Sequence, residues 1–310
     1  MQQASQIAGP PRQSFKHTLW RIFGRDAGLG YALTLPLLLF VIGLLAYPFF
    51  NALYLSLTEK TLGQPARFIG LANYIELITD DIRFGRVAAN SIIYTVFGVA
   101  GKLLIGLIMA LVLNQDIKAR GFFRGFLLLP WVIPTVVTAL TWRWLFDATF
   151  GVINYILRTT HITDVPIPWL ATKTTAMAVV IMANIWRGFP FFGISLLAGL
   201  QVISKELYEA AEIDGASLWQ RFRYITLPSL TPVIIVTTML STIWTFNDFS
   251  LPFIITNTGP NDATNIFGTY TYQLGFIGSR LGYAIAATAI MMPFLIAFIL
   301  LLAPRMWREE

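Results

Sequence analysis

Cysteine is absent from the 310 residues and histidine occurs only twice. The first absence removes disulfides, thiolate metal sites and cysteine nucleophiles, and with them any reading of the redox compartment. His17 and His161 stand apart from each other in polar stretches, so neither points to a metal set or a catalytic base. Charge is scarce as well: Asp, Glu, Lys and Arg make up 12% of the chain, against about 25% in soluble domains. No GxxxxGK[ST] phosphate loop occurs; the nearest string, GVAGKLL at residues 98–104, lacks both the spacing and the hydroxyl. No nucleophile, base and orienting group fall together, so no bond chemistry is expected. There is no fixed-period repeat and no low-complexity tract. Residues 1–28 are polar and basic without a small-residue cleavage site, so the first apolar segment is expected to serve as its own uncleaved insertion signal.

What the chain has in quantity is apolar length. Hydrophobic residues make up 56% of it, and a bilayer core of roughly 30 Å takes about 20 mostly apolar helical residues per crossing. Six stretches meet that need: Tyr31–Leu57, Val87–Leu113, Phe122–Phe146, Thr175–Gln201, Ser229–Thr256 and Leu281–Ala303. The sequence therefore predicts an all-α membrane protein: a polar N-terminal segment, 1–28, and one six-span transmembrane domain, 29–310. Pro36, Pro48, Pro130, Pro134, Pro190, Pro252 and Pro293 lie inside the stretches and predict kinks, which a bundle tolerates when neighbours satisfy the freed carbonyls. The net charge of +6 does not indicate nucleic acid, because the basic residues gather at span ends and are not interleaved with aromatics in a stripe.

Those basic residues orient the chain. A cytoplasmic N-terminus puts twelve in the inner segments: Arg12, Lys16, Arg21, Arg25, Lys118, Arg120, Arg124, Lys205, Arg221, Arg223, Arg305 and Arg308. Seven fall outside: Lys60, Arg67, Arg83, Arg86, Arg158, Lys173 and Arg280. The asymmetry predicts that both termini and the loop 201–228 are cytoplasmic. The outer connections are rich in Gly, Pro, Asn and aromatics, as in TNTGPND at 256–262, and are long enough to form partly ordered lids.

The inner loop YEAAEIDGASLWQRFRYITLPSL, residues 208–230, is polar and carries two helix signatures. Ser204 caps a short helix with Glu206 and Glu209 at its positive end. Gly215 supplies a left-handed stop. Ser217 and Gln220 then have the spacing of a capping box, opening a second helix that is expected to end before Pro228. Leu207, Ala210, Ala211 and Asp214 share one face of the first helix, and the two alanines there allow a groove or backbone to approach closely. A docking knob fits this pattern. An amphipathic helix on lipid headgroups is the alternative, disfavoured by the acids, which anionic lipid repels.

Glu209-Ala210-Ala211, Asp214-Gly215-Ala216, Phe222, Ile225, Leu227-Pro228 and Pro232 together resemble the full EAA loop of binding-protein-dependent ABC importer permeases. Further strings resemble the MalF-like sugar-permease branch: FIGLANYIEL after the first span, GFFRGFLLLPWVIPTVVTAL in the third, NIWRGFPFFGISLLAGLQ in the fourth and FNDFSLPFIITNTGP in the fifth. The likeness covers nearly everything after residue 30, and it is to compact six-span members that lack a large periplasmic insertion. It implies a type I importer permease fold in the cytoplasmic (inner) membrane of a bacterium or archaeon. Glu209, Ala210, Ala211, Asp214 and Gly215 would couple to an ATPase dimer. It also implies a second, MalG-like permease subunit in a heterodimer and a periplasmic or lipid-anchored solute-binding protein. This chain would need no cofactor, with ATP and Mg bound by the ATPase.

Polar groups inside spans are costly and default to functional roles. The fourth span offers Asn184, Trp186 and Arg187 around Gly188; the fifth offers Ser241, Trp244, Thr245, Asn247 and Asp248. Aromatic faces suit the C–H surfaces of a sugar, and amides or carboxylates suit its hydroxyls. The resemblance places sugar contacts on Thr135, Asn184, Arg187, Gly188, Phe191, Ser241, Trp244 and Thr245, with Asn247 and Asp248 next door. Trp186, Trp244, Asn184 and Thr135 have a packing alternative. Asp248 is expected to pair with Arg187 or Arg143, and Lys102 to snorkel or line the cavity. Arg187 departs from the MalF-like pattern, whose matching place is apolar; unpaired, it would grip a carboxylate, sulfonate or phosphate. The expected cargo is a sugar or sugar derivative, with an anionic derivative or a non-sugar solute as alternatives. An ion-coupled secondary transporter is a weaker reading, because repeats are absent and Asp248 is the one clear acid within a span.

Overall fold

The computed structural model describes residues 25–306. The basic positions Arg12, Lys16, Arg21 and Arg308, His17, and the greater part of the segment 1–28 lie outside the described residues. The chain divides into two units, Met1–Tyr54 and Leu55–Glu310. In the first, helix α1 (Arg25–Val41) passes through a wide π turn, Ile42–Ala46, into α2 (Tyr47–Ser56). This turn ends two residues before Pro48, which has no N–H and whose ring would crowd a regular helical turn. The extra residue in the turn absorbs that misfit.

The second unit is built on two long helices, α4 (Ile82–Leu113) and α8 (Lys173–Val202). Before α4 come a two-strand ribbon, β1 (Thr58–Glu59) with β2 (Arg67–Phe68), and α3 (Ala72–Thr79); between α4 and α8 come α5 (Arg120–Val132), α6 (Thr135–Leu145) and α7 (Val152–Thr159). After them come α9 (Lys205–Ile213), α10 (Leu218–Arg221), α11 (Leu227–Phe246), α12 (Ser250–Thr256), α13 (Phe267–Tyr272), α14 (Leu281–Ala289) and α15 (Met292–Leu302). Among the described residues, five helical segments are long and apolar enough to cross a membrane, and six if the bent pair α5–α6 counts as one.

Helices α4 and α8 run side by side in the same direction, because glycines let them touch. A Cβ on Gly106 would lie 2.4 Å from Phe192 Cβ and 2.9 Å from the Gly193 nitrogen. Small residues of this kind are how helices associate in lipid, where no hydrophobic force acts between them. Around this pair lie three apolar clusters. One contains Tyr94, Val180, Ala183, Leu251 and Ile255. A second contains Met109, Phe192, Leu196 and Leu230. The third joins Leu77 and Val87 to Phe267, Tyr270 and Tyr283.

Three expectations need correction. The third stretch is not one kinked helix: α5 and α6 meet at 89°. Pro134 causes the break, since its ring forces Ile133 into an extended conformation (φ −63°, ψ 131°). The fifth stretch ends at Phe246, not Thr256; the chain turns at Asn247–Phe249 and α12 folds back against α6 and α8. The helix opened by Ser217 does not stop before Pro228. It runs on as one 29-residue rod, Leu218–Phe246, because a π turn at Phe222–Thr226 precedes Pro228 as another precedes Pro48.

One end of the bundle carries an ordered cap, in keeping with the partly ordered lids expected of these connections. Asn73 donates from Nδ2 to the Ser56 and Thr58 carbonyls at 2.8 and 2.9 Å. Arg280 grips Glu76 with two bonds of 2.8 Å. Arg83 donates to both Asp262 oxygens, at 2.9 and 2.7 Å, and Asn90 donates to the Asp262 carbonyl at 2.8 Å. The TNTGPND segment is therefore tied to α4. Burial raises the Asp262 pKa, but hydrogen bonds from Arg83 and Asn265 outweigh it and hold the carboxyl below the usual range. A depressed carboxyl contributes stability above its unfolded value of about 3.9, and loses it as pH falls through the lower folded value. Asp262→Asn should reproduce that loss at neutral pH, as faster amide exchange over residues 256–273 with 173–202 unchanged. Equal exchange in both segments would show that the clamp does not hold the cap.

Candidate functional site

A cleft of about 150 Å³ opens between α4, α5, α6, α8 and the end of α11. Its walls are Lys102, Trp131, Thr135, Asn184, Arg187, Gly188, Phe191, Ser241, Trp244, Thr245, Asp248 and Ser250. Nine of the ten residues singled out from sequence meet here. The tenth, Asn247, does not: its side chain folds back to donate to the Ile243 carbonyl at 2.8 Å. Lys102, Trp131 and Ser250 complete the walls.

The local backbone explains the gathering. The break at Pro134 places Thr135, the first residue of α6, on the cleft. The turn after Phe246 does the same for Asp248 and Ser250. Gly188 leaves room for Lys102, which lies along it: a Cβ there would come 2.6 Å from the lysine Cε. Three aromatic rings form one side. Phe191 stands edge-on to Trp244 with centroids 5.1 Å apart and tilted to Trp131 at 6.2 Å. Trp244 and Trp131 remain 54% and 47% exposed, so their faces are open to a solute. Trp186 instead packs on Trp142 at 6.2 Å and belongs to the bundle.

The polar side differs from expectation in the pairing of Asp248. Asp248 pairs with neither Arg187 nor Arg143: its Oδ2 accepts from Tyr94 at 2.6 Å and Asn184 at 3.4 Å, and Oδ1 accepts from the Leu251 amide at 3.4 Å. Lys102 takes the second of its two expected places and lines the cavity. It is 5% exposed and donates to Thr245 Oγ1 at 2.8 Å. Arg187 Nε is buried with no hydrogen-bond partner. The cleft thus joins aromatic faces, hydroxyls, an amide, two cations and one carboxylate. Its volume falls below the 300–1,000 Å³ usual for a complete ligand pocket, consistent with one wall of a larger site. No His or acid cluster able to hold a metal occurs among the described residues. His161 is exposed at a positive φ of 56°.

At the other end of α8 lies the loop read as a docking knob. Ser204 Oγ accepts from the Glu206 amide at 3.2 Å. Gly215 takes φ +76°, the Ala216 amide reaches the Ala211 carbonyl at 2.8 Å, and the Gly215 amide reaches Glu212 at 3.0 Å. This pair of bonds is a Schellman stop. Both bonds of the Ser217–Gln220 capping box are present, at 3.3 and 2.7 Å. Glu209, Ala210, Asp214 and Gly215 are exposed and Ala211 is half-buried. An ion pair between Arg221 and Glu212, 3.1 Å, and a bond between Tyr208 and Thr226, 2.9 Å, hold α9 against α10 and the π turn.

Comparison with known proteins follows this geometry. The profile of a family described as "binding-protein-dependent transport system inner membrane component" matches residues 102–307. The chain is 34% identical over 279 residues to the trehalose/maltose transport system permease protein MalF of Thermococcus litoralis, covering 89% of this chain and 94% of that one. It is 32% identical over 293 residues to the sulfoquinovosyl glycerol transport system permease protein SmoG of Agrobacterium fabrum, covering 94% of each. Among solved structures, a chain of a bacterial alginate ABC transporter, crystallised in complex with an alginate pentasaccharide-bound periplasmic protein, superposes with a TM-score of 0.77. That match spans 92% of this chain and 95% of that one at 24% identity, and it establishes a shared fold.

Proposed function

This chain belongs to the binding-protein-dependent transport system inner membrane components, and from that membership we propose that it is a sugar-importing permease subunit. The observation that carries the cargo class is the cleft: three aromatic rings, two of them open-faced, line it together with Asn184, Arg187, Ser241 and Asp248. Stacking faces and hydrogen-bonding groups are the two things a saccharide needs. The relatives named for trehalose/maltose and sulfoquinovosyl glycerol transport support the same class.

In this reading the capped end faces outward and receives the solute from a binding protein. The α9–α10 loop faces the cytoplasm, along with both termini, and docks on an ATPase that binds ATP and Mg. Glu209, Ala210, Ala211, Asp214 and Gly215 form the contact. The undersized cleft is completed by a second permease subunit, MalG-like, in a heterodimer. This chain itself needs no cofactor.

Proteoliposomes holding both permeases and the ATPase, with binding protein outside, should take up labelled saccharide only with a hydrolysis-competent ATPase. Gradient-driven uptake without ATP would overturn the reading. In the same vesicles Trp244→Ala should reduce uptake about tenfold, the scale of one lost aromatic contact, with assembly unchanged. Unaltered uptake would move the sugar contacts to the partner permease.

A further inference from the structure

We infer, resting on the saccharide reading above, that the cleft is built for an oxyanion. Its cargo is a saccharide bearing a carboxylate, sulfonate or phosphate, and Lys102 is the residue that sets this preference. A lysine ammonium has three N–H donors. Lys102 uses one on Thr245 Oγ1, and no ion pair to it occurs among the described residues. An ammonium held this deep costs several kcal/mol unless charge and hydrogen bonds compensate it. Its stem is laid along Gly188, where a Cβ would approach Cε to 2.6 Å, so its position is a built feature of the helix contact.

A second cation, Arg187, lines the same cleft with Nε buried and unpartnered. A third source of positive potential is the N-terminus of α6: Thr135 lines the cleft as the first residue of an 11-residue helix. Such a terminus carries roughly half a positive charge, and broken helices at mid-membrane sites aim it at anionic substrate groups. Against these stands one carboxylate, Asp248, which offsets one of the two cations, while its oxygens accept from Tyr94, Asn184 and the Leu251 amide, so one positive charge remains in excess. A neutral sugar would fill hydrogen bonds and leave the excess charge unanswered. An oxyanion fills both, and charge-assisted bonds are about twice as strong as neutral ones.

The test uses the purified complex of both permeases and ATPase, held with a non-hydrolysable nucleotide and without binding protein, so that only the permease cleft selects. Affinities are measured for glucose, glucuronate, 6-deoxy-6-sulfoglucose and glucose 6-phosphate, which separate carboxylate, sulfonate and phosphate. At least one acid should bind about tenfold tighter than glucose, and Lys102→Gln should lower that acid-to-glucose ratio about tenfold. Where Lys102→Gln fails to assemble, Arg187→Gln carries the same expectation. An unchanged ratio in an assembled variant, or glucose binding as tightly as every acid, would overturn the inference and leave the saccharide reading intact. Binding of none of the four to a complex that still hydrolyses ATP would remove both.

Discussion

Gly215→Val is expected to abolish ATP-driven uptake while the protein still inserts and folds its spans. Gly215 sits at φ +76° with nothing within 4 Å of a Cβ built there. The cost is thus not steric contact but backbone: a β-branched residue in the left-handed region is strained by about 1–2 kcal/mol. The chain escapes that strain by leaving the positive-φ region, and the Schellman bonds from Ala216 to Ala211 and from Gly215 to Glu212 break with it. Helix α9 then loses its fixed angle to α10, and the exposed face carrying Glu209 and Ala210 no longer meets its partner. Glu209→Lys should give the same loss by charge reversal without touching the backbone. Measured readouts are uptake, saccharide-stimulated ATP hydrolysis and co-purification of the ATPase. Normal values for both variants would show that the loop is not the contact.

Gly106→Leu should prevent the bundle from closing. The added Cβ alone meets Phe192 Cβ at 2.4 Å, the Gly193 nitrogen at 2.9 Å and the Phe189 carbonyl at 3.0 Å. Two of these are backbone atoms in the middle of α8, which no rotamer change relieves. Overpacking costs about 1–3 kcal/mol even where side chains can adjust, and here the two longest helices have to separate. The cleft between them would be lost as well. Gly125→Leu is the control, because a Cβ built there meets nothing within 4 Å. Size-exclusion profiles and thermal unfolding in detergent should show aggregation or a large drop in stability for the first variant, and wild-type behaviour for the second. Similar profiles for both would contradict the close helix contact.

The six apolar stretches and the loop caps were legible in sequence because each depends on neighbours in the chain. Ser204, Gly215, Ser217 and Gln220 act within a few residues of themselves, and all four behave as their spacing implies. The breaks at Pro134 and Asn247 were harder. Pro130 and Pro190 sit inside helices that continue, whereas Pro134 ends one, and the difference rests on what packs around each. The cleft was largely readable because polar residues within apolar spans are few. Lys102 was visible as such a residue, but its partner Thr245 lies 143 positions away. Asp248 was assigned to an arginine on charge alone, while three hydrogen-bond donors from α4, α8 and α12 occupy it instead. Pairing across such distances depends on helix rotation, which periodicity does not determine.

The unbroken run from Leu218 to Phe246 has a mechanical meaning. Its first residues are braced by the α9 loop, and near its far end Trp244 and Thr245 line the cleft. At 1.5 Å per residue the rod is about 43 Å long, so a tilt of roughly five degrees at one end displaces the other by about 4 Å. If the proposed importer function holds, the knob and the cleft are thus the two arms of a single lever. The π turn at Phe222–Thr226, with its looser hydrogen bonding, is the place on that lever where bending costs least. On the proposed function, the stiffness of those five residues would set how much of a push on the loop reaches the solute.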